Sequence, residues 1–151
     1  MATIESLAGA RVYLDANILI YYVEKTAGWR EAAGLLFDAL IAGESDIVTS
    51  EISVGECLYQ PMRDKNRALV ALYEDFLGGE EIRRVAVNLD IIRAAASLAG
   101  DSGLKLIDAI HVATAIDSRC GFFVTNDSRI RSIPGLRVLR LSEIDGPATD
   151  G

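Results

Sequence analysis

Apolar residues recur along this chain in two alternating rhythms. Five short runs are rich in Val, Ile, Leu, Phe and Tyr, at residues 11–15 (RVYLD), 46–49 (DIVT), 82–87 (IRRVAV), 121–125 (GFFVT) and 137–141 (RVLRL). Gly or polar residues bound most of them, which predicts short strands. Between them the spacing changes to that of a helix. Trp29, Ala32, Ala33, Leu36 and Leu40 fall on one helical face, as do Leu69, Leu72, Tyr73 and Phe76, and again Ala109, Val112, Ala113 and Ile116. Gly43, Gly78-Gly79 and Gly121 stand where such helices are expected to stop. Strands that alternate with helices imply crossover connections, hence a mainly parallel sheet with helices on both faces. The expected architecture is a three-layer α/β domain.

Length sharpens this to one domain. The chain has 151 residues, half of them hydrophobic, enough to bury a sizeable core and too apolar for disorder. No repeat or Pro/Ser-rich linker divides it. The domain is expected over residues 11–142, with an N-terminal tail at 1–10 and a C-terminal tail at 143–151. The start has no basic, apolar signal pattern, and the densest apolar run, residues 18–23, is far shorter than a membrane span. Cys57 and Cys120 form no CxxC pair and read as small buried residues in a reducing compartment. A cytoplasmic protein that does not engage membranes is the expectation.

Charge adds a restriction. The formal net charge is −7, against a non-specific coat on nucleic acid, which needs Lys and Arg on phosphates. The position of the acids matters more than their number. Ligands of open α/β sheets bind beyond the carboxyl ends of the strands. Asp15 ends the first strand, Asp127 follows the fourth, Asp108 opens the helix that feeds the fourth, and Glu56 lies early in the helix after the second. Ser50 is the expected cap of that helix. Asp15 or Asn17 equally suits a helix cap, Asp108 another cap, and residues 125–127 a polar turn. Together, four acids at one sheet end require a counter-ion. Hard divalent cations such as Mg²⁺ or Mn²⁺ take oxygen ligands, whereas a lone His and two distant Cys make no zinc set.

The segments 12–19 (VYLDANIL), 49–56 (TSEISVGE), 106–115 (LIDAIHVATA) and 124–127 (VTND) resemble the PIN domain family of metal-dependent ribonucleases. Within that family they are most similar to the short VapC-like toxins of bacterial toxin–antitoxin pairs. The resemblance implies a PIN-like fold in which Asp15, Glu56, Asp108 and Asp127 bind Mg²⁺ or Mn²⁺ and cleave RNA, with Asn17 and Thr125 supporting the first and last acids. It also implies a homodimer and an inhibitory antitoxin partner. Two other readings remain open: a PIN-fold module that binds RNA or peptide without cleavage, and a Mg²⁺-dependent phosphatase or phospho-receiver domain. The last normally wants a paired acid near the first strand or a late Lys, and no Lys follows Lys105.

The remaining features are less specific. Residues 101–141 carry six bases and four acids, and Lys105, Arg129 and Arg131 flank the acids as candidate phosphate contacts. His111, the only histidine, lies one turn beyond Asp108 and is expected to support the site rather than act as its base. Trp29 is expected to pack in the core or a dimer interface. Pro61 is expected to end or kink its helix, and Ala94-Ala95-Ala96 to be plain helix. Gly78-Gly79 lacks the Lys and Ser/Thr of a nucleotide loop.

Overall fold

The computed structural model describes residues 3–144. The strands are β1 (Arg11–Leu14), β2 (Asp46–Ser50), β3 (Ile82–Val85), β4 (Phe122–Thr125) and β5 (Arg137–Arg140). They form one sheet in the order β3-β2-β1-β4-β5, and every pairing is parallel. The helices among the described residues are α1 (Ala16–Val23), α2 (Arg30–Ala42), α3 (Glu51–Arg63), α4 (Arg67–Leu77), α5 (Leu89–Ser102) and α6 (Leu106–Asp117). The three-layer, mainly parallel α/β architecture is the one the sequence pattern predicts.

Strand alternation divides the core. Val12, Leu14, Ile47, Val124 and Leu139 face α1–α4, where they pack with Leu19, Leu36, Phe37, Leu40, Leu58 and Tyr73. Tyr13, Val48 and Phe123 point the other way, against Val112 and Ala115 of α6. Two consecutive residues of one strand therefore serve opposite faces, the pattern of a sheet covered on both sides. Cys57 and Cys120 are free and buried, and burial pushes each thiol up to about 12. Trp29 is partly buried and stacks on Tyr21 at 5.3 Å between ring centroids.

Three expectations need correction. Of the expected tail at 1–10, residues 3–10 are not simply a tail: Ile4–Leu7 forms a 3-10 turn, and Leu7 is fully buried in the α1–α4 core. This segment is stitched to the turn after α2, where Gly9 N–H donates to Gly43 O at 2.8 Å and Ser45 Oγ donates to Leu7 O at 2.7 Å. Gly43 also has to be glycine, since a Cβ there would lie 2.9 Å from both Cα and Cβ of Ala8. Second, Gly121 lies immediately before β4 instead of ending a helix; α6 stops at Asp117, and Arg119 makes the turn with φ 58°. Third, Pro61 does not break α3 where it stands. It lies in the last turn, and the helix stops two residues later at Arg63. Of the expected C-terminal tail, Glu143 closes a 3-10 turn at Leu141–Glu143, and residues 145–151 lie outside the described residues.

The strand order sets the site. From central β1 the chain moves outward to β2 and β3, then crosses to β4 and β5 on the other side of β1. The crevice at such a switch point opens at the carboxyl ends of β1 and β4, which are Leu14 and Thr125. The amphipathic register of α2 provides a check on the core. Leu40 is fully buried and neighbouring Ile41 is 48 % exposed. Leu40→Ala should lower the unfolding free energy by about 3 kcal/mol in urea, and Ile41→Ala by less than about 1. Equal losses would show the helix face to be wrongly placed.

Candidate active site

Asp15 caps α1 from the end of β1. Its Oδ1 accepts from Ile18 N–H at 3.3 Å, and its Oδ2 accepts a hydrogen bond from Thr125 Oγ1. The cap and the β1–β4 pairing, with Leu14 opposite Val124, together place this carboxylate at the switch point. Asp15 is only 6 % exposed. Burial pushes its pKa up to about 6, against the pull of the Thr125 hydroxyl, His111 and the Ile18 amide, with the charge of Glu56 adding to the rise.

Glu56 projects from the second turn of α3, a helix capped as expected by Ser50, whose Oγ accepts from Ile52 N–H at 3.1 Å. Glu56 Oε1 lies 2.5 Å from His111 Nε2, and His111 Nδ1 lies 2.6 Å from the Tyr13 hydroxyl. Tyr13 is fully buried, and burial raises its pKa well above the ordinary value. The phenol therefore stays protonated and shares a hydrogen bond with Nδ1, while Glu56, which has only acceptor oxygens as a carboxylate, takes its bond from Nε2–H. His111 is the expected supporting residue. Tyr13 was not singled out by its sequence context. Its one signal is strand alternation, which puts it two residues before Asp15 and on the sheet face that α6 covers.

Asp108 is the third residue of α6 rather than its cap, which is Lys105. Because α6 runs back before β4 begins, its N-terminal turn stands at the carboxyl end of the sheet. Burial raises the Asp108 pKa, as does the charge of Asp127, while Arg129 opposes both. Asp108 Oδ2 is buried without a hydrogen-bond partner among the described residues. Asp127 follows β4, and its amide donates to Thr125 Oγ1 at 3.0 Å. Arg129 grips Asp127 with two bonds, Nη2 to Oδ2 at 2.8 Å and Nε to Oδ1 at 3.0 Å. Its Nη2 is also 3.6 Å from Asp108 Oδ2. This guanidinium, first among several contacts, lowers the Asp127 pKa.

The four expected acids thus meet at one end of the sheet and influence one another's ionisation. Thr125, expected beside the last acid, accepts from the Asp127 amide and also donates to Asp15, the acid expected to be held by Asn17. Asn17 does not hold it, being exposed on α1 with no side-chain hydrogen bond to the described residues. Arg129 binds the acids themselves, while Lys105 and Arg131 are exposed beside them. Among the described residues, no three His, Cys, Asp or Glu side chains are arranged to enclose a metal ion. Glu56 is turned to His111, and Arg129 is the cation between Asp127 and Asp108. The donor set nevertheless suits a hard divalent cation, since it is all oxygen and carries an orphaned buried carboxylate oxygen.

An all-parallel α/β sheet with acids at its switch point defines a broad class of phosphate- and metal-handling folds. Residues 12–136 match the PIN domain family, and the chain belongs to that family. No curated protein sequence matches it. Similar solved structures include VapBC2 from Rickettsia felis bound to a promoter DNA fragment, with TM-score 0.68, 19 % identity, 85 % of this chain and 97 % of that one. A toxin–antitoxin complex from Klebsiella pneumoniae follows at 0.58 and 24 % identity, covering 83 % and 94 %. VapC20 of Mycobacterium tuberculosis, a sarcin–ricin loop cleaving toxin, matches at 0.59 and 18 %, covering 74 % and 86 %. At these identities the likeness is one of fold.

The strained ionisation of Asp15 makes a pH prediction. A carboxylate whose folded pKa lies above its unfolded value of 3.8 costs stability as pH rises from about 4 through 6. In metal-free buffer at pH 8, Asp15→Asn should therefore melt higher than the wild type, and the gap should narrow towards pH 5. A variant that melts lower at pH 8 would show that the carboxylate is not strained.

Proposed function

We propose that the chain is a Mg²⁺- or Mn²⁺-dependent endoribonuclease and the toxin of a toxin–antitoxin pair. The observation that carries this reading is the meeting of Asp15, Glu56, Asp108 and Asp127 at the sheet switch point, with Asp108 Oδ2 buried without a hydrogen bond and only the Arg129 guanidinium at 3.6 Å as its counter-charge. Like charges so close are stable only with a cation, and a divalent ion is the cation that also does chemistry there. When bound, it supplies Lewis acidity to a phosphodiester and to an attacking water.

The chain's own residues do the rest. Asp15 and Asp108 are the proposed direct ligands, with Asp127 and Glu56 completing the set through water. Thr125 and the α1 amide fix Asp15 before any ligand arrives. His111 ties Glu56 Oε1 and leaves Oε2 to orient a water and take its proton. For Asp127 and Asp108 to hold the ion Arg129 would have to release them, and its guanidinium would then be available to a substrate phosphate. The pair it leaves is half-exposed and correspondingly weak.

The partner reading rests on the toxin–antitoxin complexes among the similar structures. Exposed Tyr59 and Met62 on α3 and Leu72 on α4 offer apolar surface for an antitoxin or a second copy. A cytoplasmic location fits an antitoxin made in the same compartment; no described helix is long and apolar enough to cross a membrane. The Arg129 clamp is the one observation that favours a module that binds without cutting, and a single experiment separates the two. In a cleavage assay on RNA with Mg²⁺ or Mn²⁺, the wild type should cut, and Asp108→Asn should lose about a hundredfold or more in rate while melting as a folded protein. RNA left intact by the wild type, or cut normally by the variant, refutes the nuclease reading.

A further inference from the structure

A second feature borders the acids. A cleft of about 550 Å³ opens between the C-terminal end of α5, the middle of α6 and the loop after Asp127. Its floor is apolar, formed by Leu104, Val112, Ile130 and Ile133, and Arg129 and Arg131 stand in its wall. We propose that this cleft is a subsite for one nucleotide of a single-stranded RNA, next to the bond to be cut. The proposal rests on the nuclease reading above and deepens it.

Four observations converge. The volume lies within the range of small-ligand sites, with an apolar bed and a few polar groups. An apolar bed accepts the face of any base, while hydroxyls and cations at the edge meet ribose and phosphate. The sign of the charge is unusual for this molecule: the lining holds two arginines and no carboxylate, although the chain carries −7. The α5–α6 groove, of about 170 Å³, is also apolar but is lined by Asp90 and Asp117, which repel a phosphate.

Position supplies the third and fourth. Arg129 is a shared wall, since it lines the cleft and also reaches Asp127 Oδ2 at 2.8 Å and Asp108 Oδ2 at 3.6 Å. A base seated in the cleft therefore hangs from a backbone that passes the acids. Beyond the loop, a hollow of about 310 Å³ shares Ser128, Ile130 and Arg131 with the cleft and adds Arg140, which is paired with Glu143 at 3.2 Å. The two hollows thus run on from the acids past Arg129 and Arg131, with one carboxylate against two arginines in the second, a continuous route that suits an extended strand better than a free mononucleotide.

Methyl NMR in EDTA tests this without cleavage. Guanosine and uridine 5′-monophosphates should shift the Leu104, Val112, Ile130 and Ile133 methyls saturably, and inorganic phosphate should not. A single-stranded RNA hexanucleotide should give the same shifts at lower concentration. Arg131→Glu should weaken hexanucleotide binding about threefold or more, and Ser102→Trp, at the cleft mouth, should abolish the shifts while the amide spectrum stays dispersed. Unmoved methyls, equal shifts with phosphate alone, or binding unchanged in both variants would overturn the subsite. A mononucleotide that binds as tightly as the hexanucleotide would overturn the strand assignment. Saturable shifts in a protein that leaves RNA intact with Mn²⁺ would keep the subsite and remove the nuclease reading; cleavage without shifts would do the reverse.

Discussion

Concentrating four carboxylates at the end of one sheet is the constraint that orders this structure. Each acid raises the cost of ionising its neighbours, and Asp15 is buried as well. The fold answers with groups drawn from separate elements: the α1 amide, the Thr125 hydroxyl of β4, His111 of α6 and Arg129 of the following loop. None of these is near Asp15 or Glu56 in sequence except the α1 amide. They meet because β1 lies between β2 and β4, so the parallel sheet is the device that assembles the charges. A slip of one residue between β1 and β4 would carry Thr125 away from Asp15 and turn its side chain to the other face.

The compensating groups divide into fixed and yielding ones. Tyr13, His111 and Glu56 form a chain whose first two members are buried, and Tyr13 is also stacked on Phe123 at 4.9 Å. Moving any member leaves a buried polar atom without a partner, which is costly. Arg129 is different. Its side chain is 55 % exposed, so its ion pairs are screened and water can replace them at small cost. The contrast gives the site a rigid half on β1 and α6 and an exchangeable half on the loop after β4. A cation site needs both, since the ligands must be positioned and the resident charge must leave.

Much of this was legible in the sequence because it follows from local rules. The apolar rhythm marks the layers, and three of the acids sit just after a strand ends or early in the helix that follows it, so their common end follows from topology alone. Asp108 needed one more step, the direction of the helix before β4. Other features depended on contacts that no spacing encodes. Leu7 belongs to the core because Gly43 lets the N-terminal turn approach within contact of the chain after α2. α5 was marked only by its alanines, since Ile91 and Ala95 are its only fully buried residues. Arg129 looked like an arginine for phosphate, and its grip on Asp127 is set by a turn of two residues whose geometry only the folded loop reveals.

The overall acidity of the chain is therefore a poor guide to where a polyanion can approach. Electrostatic interactions between exposed charges fade over about 10 Å at moderate salt, so the sign within that radius decides. Beside the acids, Arg129 and Arg131 line the cleft, whereas Asp90 and Asp117 line the groove between α5 and α6. A strand of phosphates has one approach with favourable sign, and that approach ends at the carboxylates. The carboxylates would repel it unless a divalent cation were already in place, so on the proposed nuclease reading cation and substrate would bind with positive coupling. Net negative charge and a polyanionic substrate are compatible when the excess acids are themselves the cation's ligands.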